Sequence, residues 1–370
     1  MRERIKDMNS KERILTTLNH EEPDKVPIDS WLVPEISNKL VELFNLDLNK
    51  DPVCLKVFLG DDLLYASSLC MDFGFETIYH PEKKIVGEEN LYMDCWGIKW
   101  KRANLPYGSY SEFASHPLAD LKKYDSYKFP DPEKENYQLY ENIIDKYGKS
   151  HAILGPAPCS IFEGSWYLRG LENFMIDLIK NKDFVNDIMD KMMEYHLFIS
   201  KKLVKMGVDI IWWGDDIGCE TGPFISPQAW REFLKPRYAY MVHELKKINK
   251  NIKIAFHSDG YIHHALEDFI EIGFDILNPL QPKINNVEMI KKKYGSKLTF
   301  WGNVDTRSVL SFGNAEEIIE EIKNVIKILA PGGGLIICTN HFIQATEKSL
   351  NNTIMYYWAL EKLRNYPINH

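Results

Sequence analysis

The sequence lacks the features that would place the protein in a membrane or on nucleic acid. None of its 370 residues fall in a stretch with the roughly 18 uncharged apolar residues of a membrane span. Its amino terminus, MRERIKDMNSKERILTTLNHEEPDK, has no apolar core of the kind found in signal peptides. Clustered Lys and Arg do not accompany any nucleic-acid motif, and the net charge is −8. We therefore expect a cytoplasmic protein with no membrane or nucleic-acid partner.

Paired cysteines are also missing. The six cysteines are scattered and form no CxxC pair: Cys54, Cys70, Cys95, Cys159, Cys219 and Cys338. In a chain of this size that pattern predicts free thiols and excludes a structural zinc knuckle.

What the sequence does contain is clearest between Val208 and Gly260. Two apolar runs of strand length, within VDIIWWGDDIG and IKIAFHSDG, end abruptly in ionisable residues. Asp215 and Asp216 end the first run, and His257 and Asp259 end the second. Ser226 and Pro227 between them read as a helix cap and a first helical residue. The segment therefore predicts a parallel strand, helix, strand unit with its ligands at the carboxyl ends of the strands.

This unit recurs along most of the chain. Predicted strands are 26–28, 151–155, 208–213, 252–257, 274–277, 298–302 and 335–338, and predicted helices are 10–19, 182–206, 227–248, 261–272, 286–294, 315–329 and 347–364. No GxGxxG follows the first strand. The alternation predicts one (β/α)8 TIM-barrel domain over residues 1–370, interrupted by an inserted β segment at about residues 75–130.

In a barrel, residues at the carboxyl ends of the strands converge on one mouth. The polar residues at these positions are Glu163, Asp215, Asp216, His257, Asp259, Asn278, Gln281, Asn303, Asp305, Asn340 and His341. Aromatic residues flank the same strand ends and predict an apolar slot for a substrate: Trp31, Trp166, Tyr167, Trp212, Trp213 and Trp301.

Plainer roles exist for several of these residues. Asp259 is also placed to cap the next helix, and Glu163 to pair with Arg169. Of the adjacent Asp215 and Asp216 only one can face the mouth, and we favour Asp216. Cys338 also fits a small buried apolar residue.

Five ordered motifs resemble the uroporphyrinogen decarboxylase superfamily over nearly the whole chain. They are KERILTTLNHEEPDKVPIDSW, GDDIG with SPQAWREFLKP, HSDG with FDILNPLQ, FWGNVDT, and PGGGLIICTNHFIQ. The decarboxylase branch carries an arginine-bearing loop after the first strand, whereas SWLVPEISNKL has no arginine to bind porphyrinogen carboxylates. The chain is more similar to the other branch, the corrinoid-dependent methyltransferases.

Coenzyme M methyltransferases in that branch hold zinc through an HxC pair and a distant cysteine. Here the HxC position reads His257-Ser258-Asp259, and the distant position falls on His341, with Cys338 three residues earlier. This departure favours the family members that demethylate methyl ethers over those that methylate thiols. A zinc ion, if used, would draw its ligands from His257, Asp259, Cys338 and His341.

The resemblance thus implies the methyltransferase component of a corrinoid-dependent O-demethylase. It would transfer a methyl group from a small methylated compound, above all a methoxylated aromatic, to a Co(I) corrinoid. A separate corrinoid protein would carry that cofactor, because this chain has no DxHxxG cobalamin loop. Expected catalytic residues are Asp216, His257, Asp259, His341 and Glu163, and expected substrate contacts are Trp31, Trp166, Tyr167, Trp212, Trp213, Asn278, Trp301 and Asn303. Alternatives are methyl transfer from a methylcorrinoid to a thiol, porphyrinogen decarboxylation, and a non-catalytic barrel that binds a corrinoid protein.

Overall fold

A computed structural model describes residues 7–65, 83–84, 90–157 and 159–368. Seven strands run parallel in one curved sheet, in the order Leu63–Leu64, Ala152–Ala157, Ile210–Gly214, Lys253–His257, Ile276–Asn278, Thr299–Val304 and Leu335–Thr339. Six of these were predicted within a few residues. The two-residue strand Leu63–Leu64 was missed because it is too short to show a periodic pattern.

A short extended segment around Ile28 closes the sheet into a barrel. Ile28 forms a parallel bridge with Ile337 of the last strand, and the Asp29 N–H donates to the Ile337 carbonyl at 3.0 Å. On its other side the Ile28 carbonyl accepts from the Asp62 N–H at 2.8 Å, beside the strand Leu63–Leu64. The predicted (β/α)8 barrel is therefore confirmed, with the segment at Ile28 as its first strand.

Helices surround this barrel. They are Ser10–Leu18, Pro34–Leu43, Cys54–Leu59, Tyr137–Tyr147, Phe162–Arg169, Leu171–Lys180, Lys182–Met206, Pro227–Ala229, Lys235–Ile248, Leu266–Ile272, Val287–Tyr294, Ala315–Leu329 and Ser349–Leu363. Local chemistry sets several ends: Asn314 and Glu317 form a capping box, and Gly207 ends Lys182–Met206 in the left-handed conformation.

Two predicted helices differ from the observed ones. The helix expected over 227–248 contains a wide π turn at Trp230–Leu234, next to Pro236, whose missing N–H interrupts the hydrogen-bond ladder. The helix expected over 261–272 begins only at Leu266, and the residues before it form a turn in which the Tyr261 N–H donates to the Cys219 carbonyl.

The core has two layers, since successive strand residues point to opposite faces. Trp212, Trp301 and Ile336 point into the barrel, whereas Trp213, Phe300 and Ile337 pack under the helices. Ile14 and Leu18 of the first helix join the interior layer. Lys253 at the start of its strand donates to the Leu18 carbonyl, so this helix covers the amino-terminal end of the barrel. The opposite end, where the strands finish, is left for the site.

An antiparallel sheet lies within the predicted insertion. Its strands are Lys83–Lys84, Leu91–Met93, Lys99–Asn104 and Ser109–Ser115. Phe113 packs against Trp166 and Tyr167 of a barrel helix at ring-centroid distances of 5.4 and 4.8 Å. Cys70 and the insertion's first residues lie outside the described ranges, and the single-domain organisation stays a prediction.

Candidate active site at the barrel mouth

Four side chains from neighbouring strand ends form a group that we call the mouth cluster: Asp216, His257, Asp259 and His341. One ligand atom from each of Asp216, His257 and Asp259 lies within 4.8 Å of the others. His341 approaches from the last strand, with its Nε2 3.7 Å from Asp259 Oδ2. The structure therefore brings together four of the five predicted catalytic residues.

The ring of His257 is held in one orientation. Its Nδ1 lies 2.7 Å from Asn278 Oδ1, and Asn278 Nδ2 donates to the Trp301 carbonyl at 2.8 Å. Because Asn278 thus presents its oxygen, His257 donates through Nδ1, and its neutral ring keeps a lone pair on Nε2. This Nε2 faces Asp216 Oδ1 at 3.7 Å. Asn278 thus positions the histidine, and its contact with substrate stays a prediction.

His341 has the opposite arrangement. Its Nδ1 accepts the Phe342 N–H at 2.8 Å, so the neutral ring carries its proton on Nε2. The side chain is 46% exposed, far more than the 14% of His257. The cluster therefore combines a hydrogen-bond acceptor, Nε2 of His257, with a hydrogen-bond donor, the Nε2–H of His341.

The two carboxylates of the cluster are linked through the backbone. Asp216 Oδ1 accepts the Asp259 N–H at 2.8 Å, and Asp259 Oδ1 accepts from Gln281 Nε2 at 2.9 Å. Burial raises the pKa of Asp216, and the nearby charge of Asp259 raises it further, while His257 lowers it. Asp216 therefore takes up a proton, or a cation in its place, more readily than an exposed aspartate.

Gly260 lets the loop that carries Asp259 fold tightly. Its φ is +78°, and a Cβ there would lie 2.5 Å from the backbone nitrogen of Cys219. Only glycine tolerates this combination without a shift of the backbone. The close approach seats the Cys219 loop beside the mouth cluster.

Asp215 points away from the mouth. Its carboxylate accepts the backbone N–H groups of Ile161, Phe162 and Glu163 at 3.0, 2.8 and 2.8 Å, and also the hydroxyl of Tyr238. Burial raises its pKa to about 6 against the pull of these donors. Asp215 anchors the start of the helix Phe162–Arg169, which leaves Asp216 as the residue that faces the mouth.

Glu163 lies apart from the mouth cluster, on that anchored helix. The Tyr167 hydroxyl donates to Glu163 Oε1 at 3.4 Å. Arg169, the alternative partner expected for Glu163, pairs with Asp177 at 2.7 Å. The prediction of a Glu163–Arg169 ion pair is therefore wrong.

Three tryptophans from the predicted slot line the barrel interior below the cluster. Trp31 lies between the rings of His257 and Phe342, at centroid distances of 5.5 and 5.1 Å. Trp212 meets the His257 ring edge-on at 5.7 Å, and Trp301 lies 5.7 Å from both Trp31 and Trp212. Together they make an aromatic floor for the mouth.

The other predicted aromatic contacts lie elsewhere. Trp213 is fully buried on the helix side of its strand, where its Nε1 donates to Ser200 Oγ at 3.0 Å, so its prediction as a substrate contact is corrected. The reason is strand alternation: Trp212 points inward and its neighbour must point outward. Trp166 and Tyr167 pack against the antiparallel sheet, as described above.

Asn303 and Cys338 also have structural surroundings. Asn303 Oδ1 accepts the Leu280 N–H at 2.9 Å and shapes the loop after Asn278. Cys338 is fully buried with its Sγ 3.7 Å from Asp29 Oδ2. Burial, with the charge of Asp29, raises the pKa of this thiol well above its ordinary value. Cys338 does not join the mouth cluster, which corrects its prediction as a metal ligand.

A cavity of about 650 Å³ opens beside the cluster. Its lining includes Asp216, Asp259 and His341, together with Gly218, Cys219, Glu220, Gly260, Gln281, Ile284, Thr306, Arg307, Ser311, Phe312, Asn340, Phe342, Gln344 and Thr346. Sequence reasoning missed Glu220, Arg307, Phe312 and Phe342. The available signal was that each lies between a predicted strand and the predicted helix that follows it. Among the helices of the described ranges, none is long and apolar enough to cross a membrane.

Comparisons with known proteins agree with this architecture. A methyltransferase from Methanosarcina mazei is 19% identical, with 96% of this chain and 99% of that chain covered and a TM-score of 0.69. A B12-independent methionine synthase from Shewanella sp. W3-18-1, solved with selenomethionine, is 13% identical, with 92% and 95% covered and a TM-score of 0.50. At these identities the likeness shows a shared fold. No curated protein matches the chain.

The family comparison is more specific. The sequence profile described as Uroporphyrinogen decarboxylase (URO-D) matches residues 102–355. That range covers more than half of the 370 residues. The chain therefore belongs to the uroporphyrinogen decarboxylase family, as its motifs predicted.

Proposed function

We propose that this chain is a methyltransferase that removes the methyl group from a small methylated compound and passes it to a Co(I) corrinoid on a separate protein. The favoured donor is a methoxylated aromatic. The observation that carries this proposal is the mouth cluster itself: two carboxylates and two histidines above an aromatic floor, at the end of the barrel where the strands finish. The methyltransferase among its structural neighbours is consistent with it.

The step that most needs catalysis is the departure of the oxygen leaving group. Co(I) supplies an electron pair to the methyl carbon, a cobalt–carbon bond forms, and the carbon–oxygen bond breaks with its electron pair left on oxygen. That oxygen must take a proton to leave as an alcohol or phenol. Asp216, with its raised pKa, is the proton donor available in the cluster, and His341 can donate a hydrogen bond from Nε2 to the departing oxygen.

The cluster also fits a divalent metal such as zinc. Asp216, Asp259 and the free Nε2 of His257 offer oxygen and nitrogen ligands within 4.8 Å of one another, and Asn278 supplies the outer hydrogen bond that orients a ligating histidine. When bound, the metal would polarise the ether oxygen as a Lewis acid. These residues would then hold the ion, and His341 Nε2 would donate a hydrogen bond to the departing oxygen.

The soft ligands of a thiol-methylating site are not assembled in the described residues. Cys338 lies by Asp29, and no thiol belongs to the only metal-compatible group found among the residues with defined positions. The oxygen and nitrogen ligands that are present therefore favour ether cleavage over thiol activation.

The test mixes the protein with reduced Co(I) cobalamin and a panel of methoxylated aromatics, methanol and methylamines. Formation of methylcobalamin, followed by absorbance, is expected with the methoxylated aromatics. If every donor is inert, methylcobalamin and a thiol are supplied to detect the reverse direction. Loss of the methyl group to the thiol would contradict the proposed direction, and inactivity in both directions with a cognate corrinoid protein present would contradict the proposal.

A further inference from the structure

The cavity contains a cation that the reaction described above does not use. Arg307 is the one Arg or Lys among the described residues that line it. It follows the strand Thr299–Val304, and its guanidinium pairs with Glu220 of the loop between Gly218–Cys219 and Gly222–Pro223. Both side chains are open to solvent, with exposed fractions of 71% and 63%. The pair thus joins the short π turn Thr306–Leu310 to a loop, and both border the same cavity.

The base of Arg307 is fixed although its head is exposed. Its backbone N–H donates to Asp305 Oδ1 at 2.9 Å, and Asp305 Oδ2 in turn binds Lys283 Nζ at 2.5 Å. Asp305 is almost fully buried, so this anchor is shielded from water. Arg307 therefore begins from a defined point at the cavity rim, and only its long side chain needs to move.

Replacement of Glu220 by another carboxylate as the partner of Arg307 would cost little free energy. An exposed ion pair contributes only about 0–1 kcal/mol, because water screens the charges and two long side chains are restrained. A ligand carboxylate offers the guanidinium the same planar, two-oxygen acceptor that Glu220 offers now. A carboxylate held inside the cavity could replace Glu220 without leaving any charge buried and unpaired.

The charges of the cavity are also unevenly placed. Asp216 and Asp259 belong to the mouth cluster, where they would repel a substrate anion. Arg307 is contributed by a different segment, the π turn Thr306–Leu310, and Phe312 and Phe342 add aromatic surface to the same lining. An aromatic substrate with its methoxy group at the cluster therefore has one favourable direction for an anionic substituent, towards Arg307.

We propose that Arg307 selects methylated aromatic substrates that carry a carboxylate, and that Glu220 is the internal carboxylate which such a substrate displaces. That the substrate is methylated rests on the proposed function. The binding of a carboxylate at Arg307 does not depend on it. Arg307 acts as a specificity-determining residue and takes no part in bond breaking.

The first experiment compares two donors that differ in charge, meta-methoxybenzoate and meta-methoxybenzyl alcohol, in the Co(I) cobalamin assay. In Arg307→Gln the ratio of kcat/KM for the benzoate to that for the alcohol should fall by roughly ten- to a hundredfold, the value of a hydrogen bond to a charged group. In Glu220→Gln the KM for the benzoate should fall by up to about fivefold, because a competing carboxylate is gone. Lys297→Gln, which removes an exposed charge outside the cavity lining, should leave the ratio unchanged.

A second experiment measures binding without any corrinoid. Calorimetric titration with meta-methoxybenzoate should give an affinity at least about tenfold weaker in Arg307→Gln than in the unaltered protein. Equal affinity in the two proteins, no binding of the benzoate, or tighter binding of the alcohol or of phenyltrimethylammonium would overturn the inference. Arg307-dependent binding without methyl transfer from any donor would retain the anion site and reject the proposed reaction.

Discussion

Two groups of ionisable side chains in this barrel contain similar residues in opposite surroundings. In the first, which we call the Lys56 network, Lys56 Nζ lies 2.5 Å from Asp29 and 3.1 Å from Asp61. In the second, the mouth cluster, the two aspartates face histidines at 3.7 Å. Both groups hold two carboxylates, but only the first has a permanent cation between them.

The Lys56 network is closed and its hydrogen bonds are satisfied. Asp29 Oδ2 also accepts from Tyr65 and from Trp301 Nε1, at 3.0 and 3.1 Å. Burial opposes the charge of Lys56, yet Asp29 and Asp61 raise its pKa above the ordinary value. The mouth cluster opens onto the cavity instead, and there the charge of Asp259 adds to burial in raising the pKa of Asp216, with no lysine or arginine between the two carboxylates among the described residues of the cluster. The charges of the Lys56 network compensate one another and stabilise the fold, whereas the carboxylate charges of the mouth cluster are available to a ligand.

Removing the cation from the Lys56 network should have the largest effect. Lys56→Met leaves two buried carboxylates without their counter-ion, which should lower the free energy of unfolding by about 3–5 kcal/mol. Denaturant unfolding measures the change, with the exposed Lys292→Met as the matched control. Adding Asp61→Asn should recover part of the loss. A destabilisation below about 1 kcal/mol would show that the two groups do not differ as described.

The reverse pattern is expected in the mouth cluster. His257→Ala should reduce methyl transfer by at least about a hundredfold, because it removes the oriented Nε2 acceptor. The free energy of unfolding should fall by only about 1–3 kcal/mol, less than in Lys56→Met, because the one hydrogen bond lost is that to Asn278. His243→Ala, on an exposed helix face, is the control. Near-normal turnover would remove His257 from the proposed chemistry.

His196 provides a third environment, in which an ionisable group is buried with neither compensation nor a cavity. It lies on Lys182–Met206, and neither of its ring nitrogens has a hydrogen-bond partner among the residues that the structure describes. Burial lowers its pKa to about 3. The folded state therefore holds it neutral, while the unfolded state takes up a proton below the ordinary pKa of 6.5. The stability linked to this residue is present above pH 6.5 and is lost as the pH falls towards 3.

The corresponding prediction concerns pH dependence. Between pH 7 and pH 5, His196 should account for a loss of about 2 kcal/mol in the free energy of unfolding. His196→Leu should lack that contribution, so its stability relative to the unaltered protein should increase by this amount on acidification. Denaturant unfolding at the two pH values measures it. Parallel losses in both proteins would mean that His196 is protonated in the folded state.

The sequence was informative where a side chain's role follows from its position along a strand. Ile210–Gly214 and Lys253–His257 are apolar runs that stop at charged residues, so the meeting of Asp216, His257 and Asp259 at one mouth could be predicted. Which way Trp213 points could not be read from the pattern, because barrel strands are apolar on both faces.

The Lys56 network was not predictable in the same way. Asp29, Lys56 and Asp61 come from different segments, and no periodicity links a lysine on the short helix Cys54–Leu59 to the first strand. The pair of Arg307 and Glu220 is similar, since its members are 87 residues apart, one in the short π turn Thr306–Leu310 and the other in a loop. Contacts of this kind depend on how the barrel closes, which single positions in the sequence do not record.

The smallest change is expected at Asp216, because its neighbours can share its role. Asp216→Asn keeps the shape of the side chain and the oxygen that accepts from the Asp259 N–H, but it cannot give up a proton or carry a negative charge. If Asp216 donates a proton or holds a metal, methyl transfer should fall by at least about tenfold, with His341 and Asp259 supporting the remainder. Asp145→Asn, on an exposed helix face, is the control.

The metal content of the purified protein distinguishes the two possible roles of Asp216, metal ligand and proton donor. If it is a ligand, purified protein should contain close to one equivalent of metal, and Asp216→Asn should lose most of it together with activity. If it is a proton donor alone, activity should fall without any change in metal content. An unchanged rate would reject both roles of Asp216.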